Sequence, residues 1–378
     1  MFREKYFTPV RDRITRVISM KEEDEITVPY ELPIDKEKYK ELIMKQELLR
    51  KKKLLPKYWK APSMIMWDIT HKCNLRCMHC YNYAENPMDS EFDSHELFTL
   101  AEEITELKIF NVCLTGGEPL LRKEYFDIAK YLADRKILVG TVTNGMLVTE
   151  EVAKKMVESG FYVAQISVDG GTAEHHDSIR GVPGSFERAI RAIRNLKAAG
   201  LEHIYVSFIP MRSNLSSFPS LVSLCLELGV ERIRTQPFVP IGRGYDNQNN
   251  VQPSKEDYET FMKIMEEEKA NLEIKDFIEF GNPIGHIRHD MDLPNTFCEI
   301  LSNGDVKISP YLPYTFGNVR ESGLKEVWMK CAKDGWQYPE VREYVKNVLD
   351  VTDLAHASRI TWIDEHVNLG DNCVNGVS

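Results

Sequence analysis

The stretch Thr70-His-Lys-Cys-Asn-Leu-Arg-Cys-Met-His-Cys-Tyr81 contains three cysteines, Cys73, Cys77 and Cys80, separated by three and then two residues. An iron–sulfur cube is usually held by four thiolates, so a loop that offers three leaves one iron without a protein ligand. With 8 cysteines in 378 residues, this spacing has a chance probability of about 3 in 1000 anywhere in the chain. The loop therefore predicts a cluster with one iron open to a ligand.

A structural zinc site is the alternative use of this loop. His71 or His79 could join the three thiolates in a four-ligand zinc centre. Zinc knuckles favour paired Cys-x2-Cys units, however, and only the second interval here has that length. The spacing therefore favours a cluster, and the segments downstream strengthen that interpretation.

Four further segments follow the cysteine loop in a fixed order. They are Thr115-Gly-Gly-Glu-Pro119, Thr143-Asn-Gly145, Ile166-Ser-Val-Asp-Gly170 and Arg180. As a set with the loop, they resemble the radical S-adenosylmethionine (SAM) superfamily, whose loop reads Cys-x3-Cys-x-aromatic-Cys, with His79 at the aromatic position. The resemblance covers residues 62–240.

This resemblance implies a [4Fe–4S] cluster on Cys73, Cys77 and Cys80. The open iron would chelate the amino and carboxylate groups of SAM, and one electron would then cleave the sulfonium. No residue is assigned a direct catalytic role. The resemblance implies SAM contacts for eight residues, which are His79, Gly116, Gly117, Glu118, Asn144, Ser167, Arg180 and Phe238.

Each of these contacts has a chemical rationale. Glu118 offers a carboxylate to the methionine ammonium, and Arg180 offers a planar fork to the methionine carboxylate. The two glycines let the backbone approach the ligand, and Asn144 and Ser167 hydrogen-bond the ribose or carboxylate. His79 is expected beside the adenine, and Phe238 is expected to wall the adenine pocket.

Every one of these segments also has a structural alternative. Gly116-Gly117 could form an ordinary strand-to-helix turn, and Asn144-Gly145 is a common turn pair. Arg180 could be a solvated loop arginine, and Phe238 could be a core residue. The order of the segments along the chain favours the SAM site.

Composition narrows the class of partner. The net charge of −10 and the pI near 5.6 argue against nucleic acid, because phosphate binding needs a basic surface. The chain has neither a signal-peptide core nor a run of about 20 apolar residues, so we expect no membrane partner. We therefore expect a cytoplasmic protein with reduced cysteines.

Between residues 62 and 240, short apolar runs alternate with amphipathic segments. This alternation predicts parallel strands joined by helical crossovers, and six strands suit an open, partial (β/α)6 TIM barrel of the α/β class. The predicted strands are 63–69, 109–114, 137–143, 162–168, 203–209 and 232–239, and the predicted helices are 94–107, 125–135, 149–159, 185–199 and 218–228.

The pattern predicts four regions: an N-terminal appendage at 1–61, the radical SAM core at 62–240, a connecting helical segment at 241–295 and an auxiliary region at 296–378. Within the last region, Asn303-Gly304 between alternating apolar runs predicts a hairpin with a type I′ turn. This hairpin, with the cysteine before it and the helix ending at Trp328, resembles a SPASM or twitch auxiliary domain.

The auxiliary region lacks cysteines that a second cluster would need. Cys298 stands at the first position of the SPASM-like pattern, but Tyr311 stands where the second cysteine is expected, and residues 351–359 contain none. Only Cys331 and Cys373 remain, and three thiolates do not complete a four-ligand cluster. We predict no complete second cluster, and we expect Cys113 and Cys225 to be small core residues.

The resemblance implies an enzyme that forms a 5′-deoxyadenosyl radical, which abstracts hydrogen from a substrate at the barrel mouth. The SPASM-like tail points to maturation of a ribosomally made peptide, with an electron donor such as flavodoxin or ferredoxin. Modification of a tetrapyrrole or another small molecule is the alternative within this class. A non-catalytic metal-binding scaffold is the alternative from another class.

Overall fold

The computed structural model describes residues 58–88, 90–272, 276–291, 293–349, 351–354 and 367–370. The predicted N-terminal appendage therefore lies outside the described residues except for its last four. Cys373 and most of the cysteine-free run at 351–359 also lie outside the described residues.

Six parallel strands alternate with helices, as the sequence pattern predicts. The strands are β1 (Met64–Thr70), β2 (Asn111–Gly116), β3 (Leu138–Thr143), β4 (Phe161–Ser167), β5 (His203–Phe208) and β6 (Arg232–Thr235). The intervening helices are α1 (Ser94–Glu106), α2 (Tyr125–Asp134), α3 (Glu150–Glu158), α4 (Ala173–Arg180), α5 (Ser185–Ala199) and α6 (Phe218–Leu228).

The sheet continues beyond both ends of this set. Strand β7 (Ile278–Phe280) pairs in parallel with β6, and β8 (Phe297–Ile300) pairs in parallel with β1. Strand β9 (Val306–Lys307) then pairs antiparallel with β8, so that the order is β7-β6-β5-β4-β3-β2-β1-β8-β9. The hairpin of the predicted auxiliary region is thus an extension of the barrel sheet.

Side chains alternate between the two faces of this sheet. On β1, Ile65, Trp67 and Ile69 are almost completely buried in the core shared with the helices. The intervening positions, Met66 and Asp68, therefore face the inside of the barrel. The same alternation applies to β8, where Cys298 and Ile300 belong to the helix-side core.

Local signals explain several helix boundaries. The side chain of Asp93 accepts the N–H of Glu96 while the Glu96 carboxylate accepts the N–H of Asp93, so this capping box starts α1. Thr149 caps α3 through the N–H of Val152. Gly200 and Gly229 end α5 and α6 in the left-handed conformation.

Helices α4 and α7 (Arg243–Val251) were not expected from the sequence. Helix α4 contains mostly polar residues without a strong apolar period, and Gly181, with φ of 74°, ends it. Helix α7 occupies a segment whose Asn and Gln content predicts a loop. In both, tertiary contacts rather than intrinsic propensity stabilise the helix.

The predicted hairpin is confirmed, but its predicted type I′ turn is wrong. That turn needs positive φ at both central residues, and only Gly304 has it, with φ of 94°. The N–H of Gly304 donates to Leu301 O at 2.9 Å, and the N–H of Leu301 donates to Asp305 O at 2.9 Å. The loop between Leu301 and Asp305 therefore contains three residues, one more than a two-residue type I′ turn.

The rest of the described chain is mainly helical. No helix in these described ranges is both long and apolar enough to cross a membrane. A parallel pair of short strands, β10 (Tyr314–Thr315) and β11 (Val367–Asn368), closes the described part. The remaining helices are α8 (Lys255–Asn271), α9 (Pro283–Asp290), α10 (Val319–Ser322), α11 (Leu324–Lys330) and α12 (Pro339–Asn347).

Candidate functional site

The cysteine loop lies at the carboxyl end of β1 and is held by backbone hydrogen bonds. The N–H of Cys73 donates to Glu85 O at 2.9 Å, and the N–H of Met78 donates to Ile179 O at 3.0 Å. Cys77 is buried, with 7% of its surface exposed, whereas Cys73 is partly exposed. The loop thus has a fixed conformation in the protein.

The thiols of the loop act on one another electrostatically. Burial raises the pKa of Cys73 to about 12; the N–H of Leu75 opposes this rise, while the charges of Cys77, Glu118 and Cys80 add to it. Burial also raises the pKa of Cys77. Several thiolates in one loop therefore need positive charge nearby, which bound iron would supply.

The donor set fits an iron–sulfur cluster better than a single metal ion. Within the described ranges, no group of three or more His, Cys, Asp or Glu side chains converges as a single zinc ion requires. A cube instead takes one thiolate on each of several irons. The N–H of Leu75 points at Cys73 Sγ at 3.5 Å, as expected around a cluster thiolate.

Arg180 lies beside this loop, but as the last residue of α4 rather than in a solvated loop. Its Nη1 donates to Cys77 Sγ at 3.6 Å, and its Nη2 forms an ion pair with Asp169 Oδ2 at 2.7 Å. Arg180 is 7% exposed, and its Nε has no hydrogen-bond partner among the described residues. One buried donor of the guanidinium therefore remains for a ligand.

Asp169 is fixed in place from several sides. The N–H of Ile209 donates to its carboxylate at 3.2 Å, the N–H of Asp169 itself donates to His176 Nδ1 at 3.1 Å, and the side chain of Asn214 donates to Asp169 O at 3.0 Å. Burial opposes ionisation of Asp169, but the charge of Arg180 outweighs it, and its pKa is lowered. Asp169 thus positions Arg180.

His79 belongs to the same network. Its Nε2 lies 3.6 Å from Asp169 Oδ2, and its buried Nδ1 has no hydrogen-bond partner in the described part of the chain. Burial lowers the pKa of His79 to about 4, although the charge of Asp169 opposes this shift. The imidazole is therefore neutral at neutral pH and can pack beside an aromatic base.

The two glycines are required by the protein chain itself. A Cβ on Gly116, where φ is 124°, would lie 2.2 Å from Thr70 O. A Cβ on Gly117 would lie 2.3 Å from Lys72 O and 2.6 Å from His71 O. The segment packs directly against the start of the cysteine loop, so this close approach alone accounts for both glycines.

The carboxylate of Glu118 is completely buried at the ends of β2 and β3. It accepts hydrogen bonds from Thr143 Oγ1 at 2.7 Å, from the N–H of Asn144 at 2.9 Å and from the N–H of Leu120 at 3.3 Å. Burial raises its pKa to about 7, although these hydrogen bonds favour the charged form. Glu118 therefore stabilises the fold at this edge.

We expect Glu118→Ala to lower the free energy of unfolding by about 3 kcal/mol, because it leaves buried donors without acceptors. Urea denaturation measures the change. Glu150→Ala, at an exposed position in the first turn of α3, is the matched control and should cost about 0.5 kcal/mol. Equal effects of the two substitutions would contradict this assignment.

Asn144 connects two of the predicted segments. Its Nδ2 donates to Asn74 Oδ1, in the cysteine loop, at 2.7 Å, and its Oδ1 accepts the N–H of Met146 at 2.9 Å. Ser167 ends β4 and faces the inside of the barrel, because Ile166 belongs to the helix-side core. Both side chains thus lie at the edge where the loop sits.

Phe238 follows β6 by three residues and is 1% exposed. It belongs to a small apolar cluster of its own with Ile179, Met211 and Val251, and Met78 of the cysteine loop packs against this cluster. Phe238 is therefore a core residue, which agrees with the alternative interpretation given in the sequence analysis. It lies close to the predicted site, because Met78 of the cysteine loop packs against its cluster.

Sequence reasoning missed a clamp on the cysteine loop. The N–H of Arg243 donates to Cys80 O at 2.9 Å, and its guanidinium donates to Cys77 O at 3.3 Å and to Ala84 O at 3.1 Å. A Cβ on Gly242 would lie 2.2 Å from Tyr81 O. The Gly-Arg-Gly sequence at 242–244 was a visible motif. Its contacts were not predictable from it, because the cysteine loop is remote in the chain.

The other cysteines occupy different environments. Cys298 is completely buried on the helix side of β8, and Cys331 is disulfide-bonded, which differs from the expected reduced state. Cys225 is a core residue, as expected. Cys113 instead lies partly exposed on the inner face of β2, because Val112 and Leu114 take the helix side.

Comparisons with known proteins agree with this geometry. The family profile described as the radical SAM superfamily matches residues 67–218. An AdoMet-dependent heme synthase from Methanosarcina barkeri is 32% identical over 291 residues, which cover 71% of this chain and 82% of that protein. The chain belongs to the radical SAM superfamily. It is a radical SAM enzyme, and it uses a [4Fe–4S] cluster and SAM.

Other radical SAM relatives differ in what their names say they act on. The mycofactocin maturase MftC of Mycobacterium tuberculosis is 28% identical over 292 residues, which cover 75% of this chain and 73% of the maturase. The structure of Streptococcus suis SuiB bound to its precursor peptide SuiA aligns with a TM-score of 0.63 at 15% identity, covering 86% of this chain and 76% of SuiB. The likeness to SuiB supports the partial TIM barrel fold alone.

Proposed function

We propose that Cys73, Cys77 and Cys80 hold the [4Fe–4S] cluster of this radical SAM enzyme. The observation that carries the proposal is the hydrogen bond from buried Arg180 to Cys77 Sγ, in a loop where neighbouring thiols help to raise the pKa of Cys73 and of Cys77. When bound, the cluster supplies the electron that cleaves SAM to methionine and a 5′-deoxyadenosyl radical. The protein holds the three thiolates, of which Cys77 is buried.

The proposed SAM site extends from the loop across the strand ends. The Nε donor of Arg180 is aimed at the methionine carboxylate, and neutral His79 packs beside the adenine. Asn144 and Ser167 line the same edge, while Glu118 and the glycine pair shape it from beneath. Phe238 supports this edge from the adjacent apolar cluster.

The proposed regions follow the sequence: an appendage at 1–61, a radical SAM core at 62–240, a helical connection at 241–295 and a SPASM/twitch-like region at 296–378. Strands β7 and β8 join the last two regions to the core sheet. A flavodoxin or ferredoxin is the proposed electron donor, in a cytoplasmic setting that keeps the six free cysteines of the described residues reduced.

The proposed substrate is a ribosomally made peptide undergoing maturation. The name of the MftC relative and the SPASM-like hairpin support this substrate class. A tetrapyrrole or another small metabolite is the second candidate, and the 32% identity to a heme synthase supports it. The two classes differ in charge, because a tetrapyrrole carries several carboxylates.

We expect Arg180→Lys to weaken SAM binding by about tenfold or more, because lysine keeps the charge but lacks the Nε donor that Arg180 leaves for the ligand. Isothermal titration on cluster-containing protein measures the affinity. Iron content should stay at the parent value. Arg188→Lys, at an exposed position on α5, is the control and should change neither quantity.

The activity test uses the same samples with SAM and a reductant. The parent protein should yield 5′-deoxyadenosine slowly without substrate. Unchanged SAM affinity and unchanged product formation in Arg180→Lys would contradict the proposed SAM site. Absence of 5′-deoxyadenosine from iron-replete parent protein would contradict the placement of the active cluster.

A further inference from the structure

Three charged side chains from distant parts of the chain meet on the inner face of the barrel. Met66 of β1 pairs with Glu299 of β8, and Asp68 lies two residues further along β1 on the same face. Glu299 in turn pairs directly with Lys307 of β9. Alternation along the strands therefore directs Asp68, Glu299 and Lys307 into the same space.

These groups are buried to an extent that is costly for charges. Asp68 is 2% exposed, Glu299 is 1% exposed and Lys307 is 4% exposed. Burial raises the pKa of Asp68 to about 6, against an opposing hydrogen bond from Asn82, and burial raises the pKa of Glu299 to about 7, against the charge of Lys307. Such carboxylates are normally paired or hydrogen-bonded.

Pairing here is incomplete. Asp68 Oδ2 accepts a hydrogen bond from Asn82 Nδ2 at 2.7 Å, but Asp68 Oδ1 and Glu299 Oε2 have no hydrogen-bond partner among the residues that the structure describes. The ammonium of Lys307 also lies 3.5 Å from Pro310 O. Two buried acceptors on neighbouring strands thus remain for a donor that enters the barrel.

This acid pair lies beside the cysteine loop. Asn82, which holds Asp68, follows Cys80 by two residues. The Tyr311 hydroxyl donates to Gln236 Oε1 at 3.1 Å, directly after the end of β6.

Another carboxylate on the inner face has hydrogen-bond partners from arginine side chains. Glu279 of β7 accepts hydrogen bonds from Arg232 Nη1 at 3.2 Å and from Arg234 Nε at 3.0 Å. Both of its partners come from the neighbouring strand β6. Asp68 and Glu299 instead have Lys307 beside them, and one oxygen of each has no hydrogen-bond partner among the described residues.

We propose that Asp68 and Glu299 anchor a positively charged substrate group, an ammonium or guanidinium such as a lysine or arginine side chain or a peptide amino terminus. This inference rests on the proposed function, because it places that group next to the cluster and SAM. A cation brings hydrogen-bond donors to the two open oxygens, and it adds a second positive charge to that of Lys307 beside the two carboxylates. It also favours a peptide over a tetrapyrrole, whose carboxylates these acids would repel.

The test compares two capped pentapeptides, acetyl-Ala-Ala-Xaa-Ala-Ala-amide with lysine or norleucine at Xaa, on cluster-containing protein with SAM. We expect the lysine peptide to bind about tenfold or more tightly, which corresponds to one charge-assisted hydrogen bond. Asp68→Asn and Glu299→Gln should each reduce this preference. Glu279→Gln, whose carboxylate is already paired, should leave the preference intact.

Equal affinities of the two peptides, or no measurable binding of the lysine peptide at millimolar concentration, would overturn the inference. So would tighter binding of coproporphyrin III, or a preference that survives in both Asp68→Asn and Glu299→Gln. A lowered melting temperature would reveal variants whose fold is damaged rather than variants that only lose peptide binding. The preference of the parent protein for the lysine peptide is measured without any substitution. Iron content and 5′-deoxyadenosine formation test the proposed function separately, because neither requires the acid pair.

Discussion

Replacing Cys73, Cys77 and Cys80 together by alanine should reduce iron from about four atoms per chain to nearly none. Formation of 5′-deoxyadenosine should be abolished with it, because no other described cysteines lie on this loop to replace the lost ligands. Iron and sulfide analysis after anaerobic reconstitution measures the first effect. Chromatography of the nucleoside products measures the second.

The control for this experiment is Cys225→Ala. Cys225 is a buried core residue of α6, so its loss should lower stability slightly without changing iron content. About four irons remaining in the triple variant would reveal a second cluster. Such a cluster would need Cys298, but that thiol is completely buried on the helix side of β8.

Gly117→Ala should lower the free energy of unfolding by about 3 kcal/mol or more and also release iron. The added Cβ would collide with Lys72 O and His71 O, which are rigid backbone atoms. The hydrogen bonds from the N–H of Gly117 to Thr70 O and from the N–H of Glu118 to Lys72 O, both 2.8 Å, would break with it. Urea denaturation and iron analysis measure the two effects.

Gly184→Ala provides the comparison for this substitution. Gly184 has φ of 78° and no atom within 4 Å of an added Cβ, so the cost is conformational only, about 1 kcal/mol. Its iron content should match the parent. If Gly117→Ala were as mild as Gly184→Ala, the packing of the glycine pair against the cysteine loop would not be needed for the site.

The sequence predicted the sheet well because its signals are local. Apolar runs alternating with amphipathic segments identified β1 to β6 and five of the helices between them to within a few residues at most boundaries. Helix α4 was missed because its polar composition carries no strong period. The prediction of a type I′ turn was wrong because the loop contains three residues, one more than the Asn-Gly pair suggests.

The residues of the proposed site were named from their spacing, but the contacts that they make in the structure were not predicted. Glu118 stands where the SAM segment requires it, yet its carboxylate is occupied by Thr143 and by the backbone N–H groups of Asn144 and Leu120. Arg180 was expected to grip a ligand, and two of its donors instead face Cys77 and Asp169. Such partners come from other strands and helices, which no local pattern specifies.

The sequence by itself determined the cysteine loop, the parallel strands and the radical SAM family, because each follows from residue types at short, fixed intervals. Only the tertiary structure decided which charges meet. Asp68 and Glu299 are 231 positions apart by number, and one register between β1 and β8 places them on the same inner face. A shift of one residue would turn Glu299 toward the helices, so strand register rather than composition creates the acid pair.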